Sequence, residues 1–404
     1  LFRSVVFPIL GEPYKSIYFP ERLALTLNGV IKRNKNDAEG LQPEQFDGYQ
    51  YLRKNQLVFK LIDLENVNTS RVGLCPFDEG MVSPAYIVLQ NNSNDNRYYH
   101  YYFLSLWHNE IFNHLGGDGV RSALNAKDLL NIPTFDLSKE MQKQIADYLD
   151  KKCGEIDMVV ETKKSVIEKL KEYKQSIITE AVTKGLDKSA PLKDSGIEWI
   201  GKIPQHWEML KLKYIAECNR EVLSENTKPD KCIDYIEIGS VTNESGINGY
   251  ETLTFENAPS RARRIVNNGD TIISTVRTYL KAIAYIDDKY DKFICSTGFA
   301  VFTPNKKVLP KFLFHALHSE WFVSTVEANS VGISYPAINT TNIVNYKIAI
   351  PSVKEQEQIL KYLDKKCFEI DKAIADKEQV IEKFTEYKKS LIYECVTGKK
   401  RVVV

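Results

Sequence analysis

The residues in this sequence best suited to act on an outside partner are arginines and lysines set beside turns, with hydroxyl, amide and aromatic side chains close behind. SRARR brings Arg261, Arg263 and Arg264 together before a β-rich run, and STVRTYLK places Arg277, Tyr279 and Lys281 just beyond one. Earlier in the chain Arg53, Lys54 and Lys60 stand at about the same places, with Arg71 added. Two Gly-led strings, GVRSALN with Arg121 and Ser122 and GISYPAIN with Ser334, Tyr335 and Asn339, precede long charged segments. Guanidinium groups fork onto phosphate oxygens or guanine edges, and Ser, Tyr and Asn reach phosphates or bases. Singly, each such side chain is also what a solvated face carries. As a set, repeated in two regions that otherwise differ, Lys60, Arg71, Arg121, Ser122, Arg261, Arg263, Arg264, Arg277, Tyr279, Lys281, Ser334, Tyr335 and Asn339 favour a DNA-binding surface.

Catalytic signatures are missing from the string. No GxGxxG follows a strand, no GxxxxGK[ST] offers a phosphate cradle, and no Asn-Pro-Pro-aromatic or Asp-Pro-Pro-aromatic run occurs. His315 and His318 could share a helix face, but no Cys or carboxylate stands at zinc-ligand spacing beside them. The carboxylates are abundant with no set singled out, and GGDG at 116–119 reads as a flexible turn. The expectation is a recognition or scaffold protein with no catalytic residues and no metal.

The elements that must position these residues are announced by a repeat. YLDKKC runs from Tyr148 to Cys153 and again from Tyr362 to Cys367, 214 positions on. About three positions in five are identical between Ile145–Thr183 and their counterparts, which marks a true internal repeat. Upstream the offset persists while the identity fades: Trp107 falls on Trp321 and Asn125 on Asn339. The chain is therefore two copies of one unit, each with a divergent front and a nearly identical rear.

The fronts, about 1–137 and 207–351, mix short β-rich runs (QLVFKLI, AYIVL, DTIISTV, FAVF) with apolar residues at helical spacing (YYHYYFLSLWHNEIF, PKFLFHALHSEWF). That mixture predicts α/β or α+β globular domains. The rears, 138–184 and 352–404, carry no proline past their first residues and a seven-residue apolar repeat. Ile156, Val159, Val166, Leu170, Tyr173 and Ile177 form one seam, Ile370, Ala373, Val380, Phe384, Tyr387 and Leu391 the other, with Lys163 and Lys377 in equivalent seam positions. This is the pattern of a coiled coil, and a helix of about 28 residues on such a seam would be roughly 42 Å long. Packed antiparallel, the two would relate the halves by a pseudo-twofold axis. Residues 185–206, rich in Gly and Pro, read as a linker, docked through Trp199 and Trp207.

Totals narrow the class. The chain has 404 residues, 43% hydrophobic and 26% charged, with a formal net charge of +1. Near-zero charge argues against tight non-specific nucleic-acid binding by the chain alone, though not against local basic patches. No apolar run approaches a membrane span, and seven scattered cysteines without a CxxC pair fit reduced cytoplasmic thiols. The second copy is preceded by SGIEWIGKIPQHWEMLKLKY, which the first lacks, so about 20 further residues are expected upstream of Leu1.

The linker string SGIEWIGKIPQHWEMLKLKYIAE, the helix opening IPSVKEQEQILKYLDKKCFEID and the paired near-identical helices resemble the specificity subunit of type I restriction–modification enzymes. The resemblance spans the chain, strong in linker and helices and weak in the fronts. It implies two target recognition domains, each reading one half of a bipartite double-stranded DNA site. It also implies an antiparallel coiled coil that spaces the half-sites and docks two methyltransferase subunits, with restriction or translocase subunits besides. The chain itself would bind no cofactor; S-adenosylmethionine, ATP and Mg2+ would belong to the partners, whose target is an adenine. IPTFDLSKEMQKQI departs from the second opening: its proline lies four places earlier, Gln142 and Gln144 survive, and Met141 replaces Glu355, so the first helix is expected to set off at a different angle. Two other readings compete: the recognition portion of a fused or split restriction–modification enzyme, and a coiled-coil adaptor that binds protein.

Overall fold

A computed structural model of the chain describes residues 2–3, 21–33, 48–62, 70–90, 93–115, 123–198 and 200–402. It is a mixed α/β structure of two compact units, Leu1–Lys164 with Lys377–Val404, and Ser165–Asp376. The division falls inside both long helices, so each unit holds one front part and one half of each helix.

In the first unit a four-stranded sheet runs in the order Gly29–Arg33, Arg22–Thr26, Glu79–Val82, Gln50–Arg53, and a three-stranded sheet in the order Val72–Leu74, Leu57–Phe59, Ile87–Leu89. Helix α1 (Asn96–His108) starts where the Asp95 carboxylate accepts from the Arg97 N–H at 2.9 Å, tying down a donor the first turn leaves free. It buries Tyr98, Tyr99, Tyr102 and Phe103, and Phe103 meets Phe59 of the central strand edge-on at 5.0 Å between ring centroids. Each such ring is worth about 1.5–3 kcal/mol of burial. Short helices α2 (Ile111–Leu115) and α3 (Ala126–Leu130) follow, α3 opened by a reciprocal Asn125–Asp128 cap. Helix α4 (Lys139–Lys184) then leaves the unit.

The second unit takes up residues 165–184 of α4 and continues into a hairpin of Leu192–Asp194 and Lys202–Pro204, so the linker is partly ordered as strand. Trp207 is fully buried at its end, and its indole N–H donates to Glu355 Oε1 at 3.0 Å. Two four-stranded sheets follow: Ala216–Cys218, Phe299–Pro304, Thr271–Ser274, Ile283–Tyr285, and Glu251–Thr254, Cys232–Ile236, Ile294–Ser296, Ala262–Ile265. Helices α5 (Pro310–Leu317), α6 (Glu320–Ala328) and α7 (Thr340–Ile343) lead to α8 (Val353–Val396), which crosses back into the first unit.

The predicted runs fall on these elements, QLVFKLI on Leu57–Phe59 and DTIISTV on Thr271–Ser274. Within each unit the two helix halves lie antiparallel and share a core: Ile156 and Val160 with Leu391 and Phe384 in one, Ile177 and Leu170 with Ile370 and Ile374 in the other. Val159, Val166, Ala373 and Val380 are half-buried. Tyr173 and Tyr387 correct the predicted seam, being 57% and 52% exposed. At 3.6 residues per turn, eighteen residues make about five whole turns, so the position facing with Ile156 is Lys174 and not Tyr173. Lys174 indeed reaches across to Asp371 at 2.7 Å, and in the other unit Lys388 reaches Asp157 at 2.6 Å. Both members of these pairs are related by the 214-residue offset.

The same offset relates two buried glutamines at the helix openings. Gln142 accepts from the Asp95 N–H at 3.0 Å and donates to the Leu137 carbonyl at 2.9 Å; Gln356 accepts from the Leu309 N–H at 2.8 Å and donates to the Pro351 carbonyl at 3.0 Å. Each glutamine thereby pins the start of α1 or α5 to a long helix, in spite of the displaced proline. The difference between the openings sits elsewhere: Glu355 binds Trp207 and His206, while its counterpart Met141 is exposed.

Candidate nucleic-acid interface

In the second unit two loops meet beyond one end of the sheet strand Thr271–Ser274. One is the 3-10 turn Thr278–Leu280, bracketed by Arg277 and Lys281, which both adopt left-handed backbone at φ 50° and 52°. The other joins α6 to α7 and contains Ser334 and Tyr335. They are stitched together by backbone: Arg277 N–H donates to the Pro336 carbonyl at 2.7 Å, Ile338 N–H to the Thr275 carbonyl at 2.9 Å, and Val276 bridges Ala337. The Thr278 hydroxyl donates to Ser330 Oγ at 2.7 Å. On this frame the Arg277 guanidinium lies over the Tyr335 ring, 5.0 Å from its centroid. A cation over an aromatic face is held in place with its remaining N–H groups open to an acceptor.

Arg277, Tyr279, Ser334, Tyr335 and Asn339 are exposed and Lys281 is half-exposed. Neither 271–285 nor 329–337 contains a carboxylate, so the two loops themselves bring only positive charge beside aromatic rings. Arg261, also exposed, stands next to it in the fold: its carbonyl accepts from Thr297, whose neighbour Gly298 accepts from Thr275. Left-handed non-glycine backbone costs about 1 kcal/mol per residue, and such strain gathers at binding sites. Chemically, the assembly can clamp a phosphate with Lys281 or Arg261 and present Arg277, Ser334 and Tyr335 to base edges.

Three of the expected residues are engaged elsewhere. Arg71 is 1% exposed and donates to the Ile62 carbonyl at 3.1 Å, so it belongs to the interior of the first unit and not to its surface. Arg264 is half-buried in the strand Ala262–Ile265, where it donates to Asn219 Oδ1 at 2.7 Å and burial depresses its pKa. Asn339 caps α7 by accepting from the Thr341 N–H at 3.1 Å. Arg263 lies between the classes, with its guanidinium 4.5 Å from the Phe255 ring centroid and one N–H spent on the Ala262 carbonyl.

In the first unit Lys60 is half-exposed beside the strand Leu57–Phe59, its backbone N–H donating to the Arg71 carbonyl at 3.1 Å. Arg53 and Lys54 pair with Glu79 and Asp78. Arg121, Ser122 and the 116–119 turn lie outside the described residues, as does Trp199. His315 and His318 are half-buried in the second unit, stacked or tilted against Phe314, and desolvation lowers both pKa values, His315 to about 3. Among the described residues no group of three or more His, Cys, Asp or Glu side chains is arranged to hold a metal ion. No described helix is long and apolar enough to cross a membrane. Composition did not reveal the exposed apolar side chains Leu280, Val331 and Ile333 in the same two loops; the Gly-led, Pro-ended string GISYP was the signal that could have.

Residues 204–383 match the family model described as the type I restriction modification DNA specificity domain. The MjaVIII specificity subunit of Methanocaldococcus jannaschii is 26% identical over 339 residues, which span 80% of this chain and 75% of that protein. The HindI specificity subunit of Haemophilus influenzae is 29% identical over 131 residues, 31% of this chain and 28% of that one. Among solved structures, a chain from a study of complex assembly and conformational transition in the type I R-M system has a TM-score of 0.64 at 14% identity, with 92% of this chain and 87% of that one covered, a likeness of fold. With an internal repeat, a mixed α/β front and long paired helices already on the page, residues 204–383 match the DNA specificity domain of type I restriction–modification systems, and the chain is similar along most of its length to their specificity subunits.

Proposed function

We propose that the chain gives a type I restriction–modification complex its DNA sequence preference by reading a bipartite site, one half with each front domain. The observation that carries this reading is the braced pair of loops, themselves without a carboxylate, that presents Arg277, Tyr279, Lys281, Ser334 and Tyr335 at the surface. The internal repeat supplies a second front domain of the same descent, and its divergence is what two different half-sites require. The long helices serve as an antiparallel coiled coil that spaces the half-sites. Their near-identical outer faces dock two methyltransferase subunits, with restriction subunits joining that assembly.

On this reading the chain is non-catalytic. S-adenosylmethionine, ATP and Mg2+ are handled by the partners, and the methylated base is an adenine. The near-neutral net charge fits a subunit whose grip on DNA is shared with its partners. The test is DNA retention by the assembled complex when Arg277 and Lys281 are both replaced by Ala. Retention of the specific duplex should fall while assembly is preserved; unchanged retention would favour a protein-binding adaptor.

A further inference from the structure

The loop between α6 and α7 ends in a finger that does more than carry Tyr335. Val331 and Ala337 exchange backbone hydrogen bonds of 2.9 and 3.0 Å, an isolated antiparallel bridge that closes the five-residue loop Gly332–Pro336. Gly332 turns the chain at φ 121°, where a Cβ would stand 3.0 Å from the Tyr335 carbonyl oxygen. The base of the loop is fixed to the sheet through Val276 and Arg277. Yet its side chains stand largely in water: Val331 in the closing pair is 81% exposed, Tyr335 67%, and Ile333 at the tip 103%.

An isoleucine held this far out is costly to hydrate, and the bracing prevents it from folding back onto the domain. The surroundings state what it is to meet. Arg277 is stacked on the same finger, Lys281 and Arg261 stand near its base, and the loop has no carboxylate, which fits a polyanion. A loop closed by an antiparallel pair can enter the major groove, about 12 Å wide, as a two-stranded ribbon does, and it is in that groove that all four base pairs are told apart. In the major groove the one apolar group that distinguishes a base pair is the 5-methyl of thymine.

We propose that Ile333 is a specificity-determining residue that contacts a thymine methyl group in the half-site read by the second front domain, an inference that rests on the DNA reading above. The test uses the full chain assembled with its methyltransferase partner and duplexes carrying the split site found in methylated DNA. The relevant half is the one that changes when residues 207–351 are exchanged. Each of its thymines is replaced in turn by deoxyuridine, which removes only the methyl group.

The unaltered complex should bind one such duplex about three- to five-fold more weakly, the worth of one buried methyl. Ile333→Ala should bind the thymine and deoxyuridine duplexes equally, and Ile333→Leu should recover part of the difference. Equal methyl sensitivity in the unaltered and Ile333→Ala complexes, no sensitivity at any thymine, or a half-site without thymine would overturn the assignment. A complex that selects no site at all would overturn the DNA reading along with it, whereas one that selects its site but ignores the methyl overturns this inference alone.

Discussion

Arg277 and Lys281 bracket the same short turn but face different tasks. The Arg277 guanidinium is aimed by the Tyr335 ring and by the backbone bond to Pro336, so it offers a directed fork. Lys281 ends the turn as a half-exposed point charge. Arg277→Ala is therefore expected to relax the preference at one base pair by about 1–3 kcal/mol, whereas Lys281→Ala should weaken all sequences alike and reduce the salt slope of binding by about one ion. Affinities on cognate and single-mismatch duplexes at several salt concentrations separate the two. A uniform loss for Arg277→Ala would contradict its role as a base reader. Residue type and spacing in the sequence found this pair, but could not find that Arg71 and Arg264 are spent on interior partners. Charge is written in the sequence and burial is not: Arg71 is 1% exposed and Lys60 half-exposed, and nothing beside either in the string distinguishes them.

At the scale of elements, the buried glutamines are the joints on which each front domain meets a long helix. Gln142→Ala or Gln356→Ala leaves a backbone donor and a carbonyl without a partner, and should destabilise the unit concerned by about 1–3 kcal/mol. Denaturant unfolding of the whole chain measures this; a loss below about 0.5 kcal/mol for both would show that water satisfies those groups equally well. The surface pairs Lys174–Asp371 and Lys388–Asp157 should contribute no more than about 1 kcal/mol each, because their carboxylates are mostly solvated.

Helices α1 and α5 carry an acid sensitivity as well. Burial lowers His100 and His108 to about 4 and His315 to about 3, from an ordinary 6.5. The stability gained from keeping these rings neutral is complete above pH 6.5 and is lost as the pH falls through their folded values. Unfolding measured from pH 7 to 4.5 should steepen in this window, and His315→Leu should flatten the change; an identical slope would contradict the assignment.

The long helices were legible because a pattern without proline and with apolar residues at near-helical spacing admits little else. Tyr173 and Tyr387 were misplaced because a strict seven-residue count drifts by about 20° per heptad from a straight helix, enough after two heptads to move the stripe onto Lys174 and Lys388. The front domains were legible only as short strands and helices. Their sheet orders depend on pairings distant in sequence, and the joined loops 277–281 and 331–337 are brought together by backbone bonds that leave no mark on either string.

For the whole molecule, the repeat argues for two reading heads on one spacer. On the proposed reading, exchange of residues 207–351 for the corresponding domain of a type I specificity subunit should alter one half of the recognised site and leave the other half and the spacing intact; alteration of both halves would contradict two independent heads. The central claim, that this chain chooses where its partners act, is tested most directly by a genome-wide map of methylated adenines. Cells with and without the chain are compared, with every other gene intact in both. The account predicts the loss of one split, two-part motif when the chain is removed, and an unchanged map would contradict it.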